Sequence, residues 1–196
     1  MKKLLVGIDI GSGGCKITVI DTEGQVLSKR YNEYRTSYLH PGWAEQNPKD
    51  WEESLAKTLA ETLSTLTCSL KQIECITIGA ATHTVVLLDK ECKPLRPAIL
   101  WTDKRSIAEV EWLKENYGDM IIKETLHMPN VNWTLPYLVW VQRNEPSIWE
   151  KVDKILMPKD YIRYCLTGVL ATDFMDAHGT MLFNVPTRKW SEKICN

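Results

Sequence analysis

Residues 4–27 read LLVGIDIGSGGCKITVIDTEGQVL, and the fold is decided by the element that comes after the glycines of this stretch. Leu4–Ile10 is an apolar, strand-like run. Beyond Gly11-Ser12-Gly13-Gly14, the apolar residues Cys15, Ile17 and Val19 alternate with polar Lys16 and Thr18, the period of a second strand. A helix at this point would make the dinucleotide-binding fingerprint, with a pyrophosphate at the helix N-terminus; the strand excludes it. No Gly-Lys-Ser/Thr comes after the turn either, which excludes a Walker loop. Asp21–Gly24 reads as a second turn leading to a third strand, so the chain opens with a β-meander.

What remains of the glycine segment is a strand–Asp9–turn–strand hairpin. Its backbone N–H groups and the Ser12 hydroxyl suit phosphate oxygens, and Asp9 stands where it would hold a metal ion or its waters. A plain glycine-rich hairpin with a solvated aspartate is the alternative that these residues alone leave open.

Outward from the meander, Asn47-Pro48 has the form of a helix start, with Asn at the cap and Pro in the first turn. Trp51, Leu55, Leu59, Leu63 and Leu66 continue at helical spacing to about Cys68. Ile73–Gly79 and Thr84–Asp89 read as strands around the break Ala81-Thr82-His83. Asp103–Tyr117 reads as a helix ending near Gly118, Pro136–Arg143 as another, Lys154–Met157 as a short strand, and Pro158–Thr167 as a helix closed by Gly168. The order of elements predicts an α/β domain over 1–196 with a mixed sheet flanked by helices.

Composition narrows the function. The chain has 196 residues, enough for one well-cored domain, and 24 Lys plus Arg against 25 Asp plus Glu leave a net charge of -1. Such a balance gives no field for a polyanion, so neither nucleic acid nor an anionic membrane is an expected partner. No apolar run is long enough to span a bilayer and no signal peptide is visible, so the expected location is cytoplasmic. The six cysteines form no CxxC and no zinc-like knuckle with histidine, and are expected to be reduced, mostly buried thiols.

Other polar residues interrupt apolar segments. Thr82 and His83 would offer a polyol one donor and one acceptor, although a lone His in such a place is more often a satisfied structural residue. Asp103 comes after Ala98–Leu100 and Trp101; it is either a helix cap or a carboxylate accepting from sugar hydroxyls, with Trp101 as an apolar face. Asp173 and Asp176 fit a turn with Asx-type hydrogen bonds.

Taken together, the segments GIDIGSGGCK (7–16), HPGWAEQNPKDW (40–51), GAATHTVVLLD (79–89), LRPAILWTDKR (95–105), LVWVQRNEP (138–146), LMPKDYIRYCLTG (156–168) and ATDFMDAHGTMLFNV (171–185) resemble the N-terminal domain of the FGGY carbohydrate kinases, most closely the xylulokinase branch. The resemblance covers almost the whole chain in the family's order. It implies a ribonuclease-H-like domain of the actin and sugar kinase superfamily, whose members close two such domains on ATP and sugar. The implied reaction moves the γ-phosphoryl of ATP to a sugar hydroxyl with Mg²⁺, here of a ketopentose such as D-xylulose, giving D-xylulose 5-phosphate.

By the same resemblance, Gly11, Ser12, Gly13, Gly14 and Lys16 lie on the phosphate side, Asp9 beside the metal, and Thr82, His83 and Asp103 at the sugar. Two departures stand out. The sugar-contacting pair is Thr82-His83, where xylulokinases often carry Met-His. The family's base, an Asp in a Gly-Gly-Asp segment, is not among these residues and is expected beyond Asn196, as is the adenosine-binding second domain. The expectation is therefore the N-terminal part of a sugar kinase with little turnover alone, partnered by a complementing C-terminal kinase domain or a second copy of itself. A non-catalytic sugar-binding or interaction module made from half a kinase is the alternative.

Overall fold

The computed structural model describes residues 3–196. Strands β1 (Leu4–Ile10), β2 (Gly14–Asp21) and β3 (Val26–Glu33) form the antiparallel meander, with β1 and β2 in register from Leu4↔Asp21 to Ile10↔Cys15. Every second residue of β1 (Leu4, Val6, Ile8, Ile10) and of β2 (Cys15, Ile17, Val19) is buried. Each fully buried aliphatic of this kind contributes about 1.5–3 kcal/mol.

A short strand β4 (Glu45–Gln46) leads into helix α1 (Pro48–Ser64). The Asn47 side chain accepts from the Lys49 N–H and Pro48 takes the first turn, so the helix begins where its cap chemistry dictates. It ends at Ser64, short of Cys68, because the Thr65 hydroxyl and backbone N–H turn back onto Thr62. Leu66 and Cys68 still pack against the core, which explains why their spacing looks helical.

Strand β5 (Ile73–Ala80) then returns to lie parallel to β1, giving a mixed sheet in the order β3-β2-β1-β5. Helix α1 packs on β2 and β3. The rest of the chain adds β6 (Val86–Leu88), β7 (Ala98–Ile99), α2 (Ile107–Thr125), α3 (Thr134–Asn144), α4 (Pro146–Trp149), β8 (Lys154–Leu156), α5 (Pro158–Thr167), α6 (Phe174–Gly179), β9 (Phe183–Asn184), β10 (Lys189–Trp190) and α7 (Glu192–Cys195). Helix α5 packs on β5 and α1, and its end is closed by Gly168 at φ 71, as expected. Strand β4 pairs with β7, and β6 with β8, all antiparallel.

Two expectations are corrected. Helix α2 starts at Ile107 rather than Asp103, and it runs through Gly118 to Thr125. A mid-helix glycine costs only about 1 kcal/mol, and burial of Ile121 with Leu113, Leu135 and Met181 outweighs it. The six cysteines are all free, but only Cys15 is buried; Cys75, Cys165 and Cys195 are exposed. Among the described residues no helix is long and apolar enough to cross a membrane. Met1 and Lys2, the start of the expected domain, lie outside the described residues.

Candidate functional site

In an open sheet, ligands bind beyond the carboxyl ends of parallel strands. Here β1 and β5 are the parallel pair, and their ends meet: Asp9 aligns with Gly79, Ile10 with Ala80, and the Ala81 N–H donates to the Ile10 carbonyl at 3.1 Å. The glycine hairpin at the end of β1 and the Thr82-His83 break at the end of β5 are therefore neighbours, although they are far apart in the chain.

The hairpin is polarised. Gly11 N–H closes it onto the Gly14 carbonyl at 3.1 Å. The Gly11 carbonyl accepts from the Tyr34 hydroxyl, the Gly13 carbonyl from the Tyr34 N–H at 3.4 Å, and the Ser12 carbonyl from Gln46 Nε2 at 2.7 Å. Burial pushes the Tyr34 phenol above its ordinary value, so it stays a donor. Three acceptors at the tip are thus taken up by protein, whereas the N–H groups of Ser12 and Gly13 have no partner among the described residues. Gly14 cannot be replaced: a Cβ there would meet the Asn32 carbonyl at 2.5 Å and the Tyr31 ring at 2.7 Å. Beside the tip, Asp9 and Lys16 face each other across β1 and β2 and form an ion pair of 3.0 Å, each about half exposed.

His83 adopts φ 56, and its Nδ1 lies 3.2 Å from the Gly179 carbonyl at the end of α6. A carbonyl only accepts, so Nδ1 carries the proton and the Nε2 lone pair is left free. Burial holds the His83 pKa below the ordinary imidazole value, with the Gly179 hydrogen bond and Asp176 pulling weakly the other way. The ring is neutral at pH 7 and acts as an acceptor. Thr82 beside it is exposed and supplies a hydroxyl.

Sequence reasoning missed the wall behind His83. Trp133 lies 4.4 Å from the His83 ring and 4.5 Å from His127, and His127 stacks on His178 at 4.4 Å. No spacing in the sequence points to this row, because its members come from the ends of α2, α3 and α6. The one available signal is that His83, His127 and His178 all fall at or beside the ends of regular elements.

Asp103 differs from its sugar-contacting expectation. It is fully buried, and its carboxylate accepts from the Ala44 N–H (2.6 Å), the Arg105 N–H (2.8 Å) and the Arg105 guanidinium (2.8 and 3.0 Å). Both oxygens are committed to protein donors, so the carboxylate ties the Ala44 backbone to Arg105. Arg105 also pairs with Glu45 at 2.7 Å and lies over the Trp43 ring at 3.8 Å. The Asx expectation holds at Asp173, which caps α6 by accepting from the Met175 and Asp176 N–H groups at 2.9 Å, while Lys159 pairs with Asp160, Asp173 and Asp176. Among the described residues no three acidic, His or Cys side chains form a metal-holding group.

Residues 4–196 match the FGGY family of carbohydrate kinases, N-terminal domain. The chain is 35% identical over 194 residues to a xylulose kinase of Bacillus subtilis, covering 99% of this chain and 39% of that protein. It superposes on the crystal structure of a xyloylose kinase from Brucella ovis with a TM-score of 0.89 and 33% identity, covering 97% of this chain and 39% of the other. It superposes on Plasmodium falciparum glycerol kinase with ADP with a TM-score of 0.91 and 26% identity, covering 99% and 40%. The chain thus spans about two fifths of the length of the relatives it matches.

Proposed function

The chain belongs to the FGGY family of carbohydrate kinases, as an N-terminal domain, and from that premise we propose that it forms the sugar and phosphate half of an ATP-dependent ketopentose kinase converting D-xylulose to D-xylulose 5-phosphate. The observation that carries the proposal is the polarised hairpin 11–14, with its acceptors engaged and two N–H donors free, at the same sheet end as Thr82 and His83. The xylulose kinase relative supports the choice of a pentulose.

In this scheme the Ser12 and Gly13 N–H groups and the Ser12 hydroxyl receive phosphate oxygens of ATP, and Lys16 adds a positive charge beside them. The half-exposed Asp9 carboxylate suits a hydrated Mg²⁺, which binds through one or two carboxylates and substrate phosphates rather than an all-protein cage. Bound Mg²⁺ supplies neutralisation of charge on the phosphate oxygens. His83 Nε2 accepts from one sugar hydroxyl and Thr82 exchanges a hydrogen bond with another, while Trp133 keeps the His83 ring in place. Phosphoryl transfer relies on such positioning more than on covalent chemistry.

Of the candidate carboxylates, none of Asp9, Asp103, Asp173 and Asp176 is assigned as the base that takes the sugar proton. Asp9 faces Lys16, Asp103 is held by Arg105, and Asp173 and Asp176 are held by Lys159. We assign the base and the adenosine contacts to a complementing C-terminal kinase domain, so the chain alone turns over little. Calorimetric titration of the chain with D-xylulose and with Mg·ATP tests the proposal. Heat from both supports it; xylulose binding without Mg·ATP favours a sugar-binding module; silence from both overturns it. Robust xylulose-dependent ATP consumption by the chain alone would overturn the assignment of the base.

A further inference from the structure

Resting on the phosphate reading of the hairpin, we propose that Gln46, a residue distant in sequence from the glycine loop, is a positioning residue that aims the Gly13 N–H at the phosphate. In a trans peptide unit the C=O and N–H bonds point in opposite directions. Whatever holds the Ser12 carbonyl therefore sets the direction of the Gly13 N–H, and whatever holds the Gly11 carbonyl sets that of the Ser12 N–H. The Ser12 carbonyl is held closely by Gln46 Nε2, at 2.7 Å, and only at 3.5 Å by the Thr36 hydroxyl; the Gly11 carbonyl is held by the Tyr34 hydroxyl.

Gln46 is built for this task. It is 3% exposed on β4. Trp51 Nε1 donates to Gln46 Oε1 at 3.0 Å, and an indole N–H can only donate, so the orientation of the amide is forced. The opposite end then presents Nε2, which donates to both the Ser12 carbonyl and the Thr36 hydroxyl (2.8 Å). Trp51 is itself anchored in the core of α1, and β4 is clamped by β7 and by Ser37, whose backbone exchanges two hydrogen bonds with Glu45 at 2.8 and 3.0 Å. The glycines of the tip have no side chains with which to define their own peptide planes. Gln46 transmits the rigidity of the core to one of them.

Replacing Gln46 by glutamate keeps the size and the acceptor for Trp51 but removes the donor. The Ser12 carbonyl then loses its close donor and keeps only the Thr36 hydroxyl at 3.5 Å, so it is held loosely and the Gly13 N–H turns with it. Gln46→Met removes donor and acceptor without adding charge, which separates loss of the donor from repulsion of phosphate by a carboxylate. Tyr34→Phe releases the neighbouring peptide plane and is a second, independent variant.

The experiment is a ¹H–¹⁵N NMR titration of the 196-residue chain with Mg·ATP and, in a parallel arm that needs no adenosine contacts, with inorganic Mg·triphosphate, tracking the Ser12 and Gly13 amides. In the wild-type chain both amides shift downfield on saturation. In Q46E and Q46M the Gly13 response is lost and Mg·ATP binds about tenfold or more weakly, the loss of one charge-assisted hydrogen bond. In Y34F the Ser12 response is lost first. Dispersed core resonances from β1 and β2 in each variant show that the fold is intact, so a merely structural defect reads differently. If the wild-type chain responds and both Gln46 variants respond equally, the positioning role is overturned while the phosphate reading stands. If the wild-type amides respond neither to Mg·ATP nor to saturating inorganic Mg·triphosphate, the phosphate reading falls and the role of Gln46 falls with it.

Discussion

The Nδ1 of His83 donates to the carbonyl of Gly179, 96 residues further along the chain, at 3.2 Å. That one bond decides which nitrogen of the ring faces the proposed sugar, and it rests on a glycine that leaves room for it.

A Cβ on Gly179 would lie 2.9 Å from His83 Nδ1 and 3.0 Å from Cε1. Gly179 does not have a positive φ, so alanine adds crowding without backbone strain. Gly179→Ala is expected to displace the His83 ring and weaken D-xylulose binding about tenfold, with about 1–3 kcal/mol lost from stability. Calorimetry and urea unfolding measure the two; unchanged sugar affinity would count against the acceptor role of His83.

Acid should weaken the site and the fold together. Burial lowers the pKa of His83 and of His127 from the ordinary 6.5, so the unfolded chain takes up these protons before the folded one does. Stability is therefore full above 6.5 and falls as the pH drops from that value through the lowered folded-state values. Protonation also converts His83 Nε2 from acceptor to donor. The charged groups facing the ring are Asp176, which favours the proton, and His178, which opposes it. Melting temperature and xylulose affinity are both expected to fall below pH 6.5, and His83→Asn should flatten the first of these slopes.

Asp9→Asn separates chemistry from stability. The Asp9–Lys16 pair is about half exposed on both sides, so its loss should change stability by less than about 1 kcal/mol. Mg²⁺-dependent ATP binding by the chain should nevertheless be lost, as titrations with and without the metal would report. Retained metal dependence would remove Asp9 from the metal role.

Arg105→Lys should be costly although the charge is kept. The guanidinium is fully buried, bonds Asp103 through two nitrogens, pairs with Glu45 and lies over Trp43 and Trp140 at 3.8 and 4.9 Å. A lysine has neither the fork nor the flat face, and it leaves buried carboxylates short of partners. Chemical denaturation should show a loss of about 3–5 kcal/mol. A loss below about 1 kcal/mol, the range of an exposed pair, would mean that Asp103 and Glu45 find other partners.

Much of the fold was legible because its signals are local. The alternation in Leu4–Ile10 and Cys15–Val19 marks the meander, and the caps at Asn47 and Gly168 mark helix ends. Where local rules failed, burial had overruled them. Gly118 did not stop α2, since Ile121 beyond it had a core to enter. Asp103 looked like a cap or a sugar ligand; its carboxylate is instead taken up by Arg105 and the Ala44 N–H, which the fold brings to it.

By itself, then, the sequence determined a strand–glycine turn–strand opening, a mixed α/β domain and the residue types suited to phosphate and polyol, through interactions between near neighbours in the chain. Tertiary structure alone decided what those residues present. Tyr34 and Gln46 turn the carbonyls of the hairpin away and leave its N–H groups free; Gly179 selects the tautomer of His83; Trp133 and His127 build the wall behind it. The reason is physical: the direction of a hydrogen bond is set by the partner at its other end, and in this protein those partners are distant in the chain.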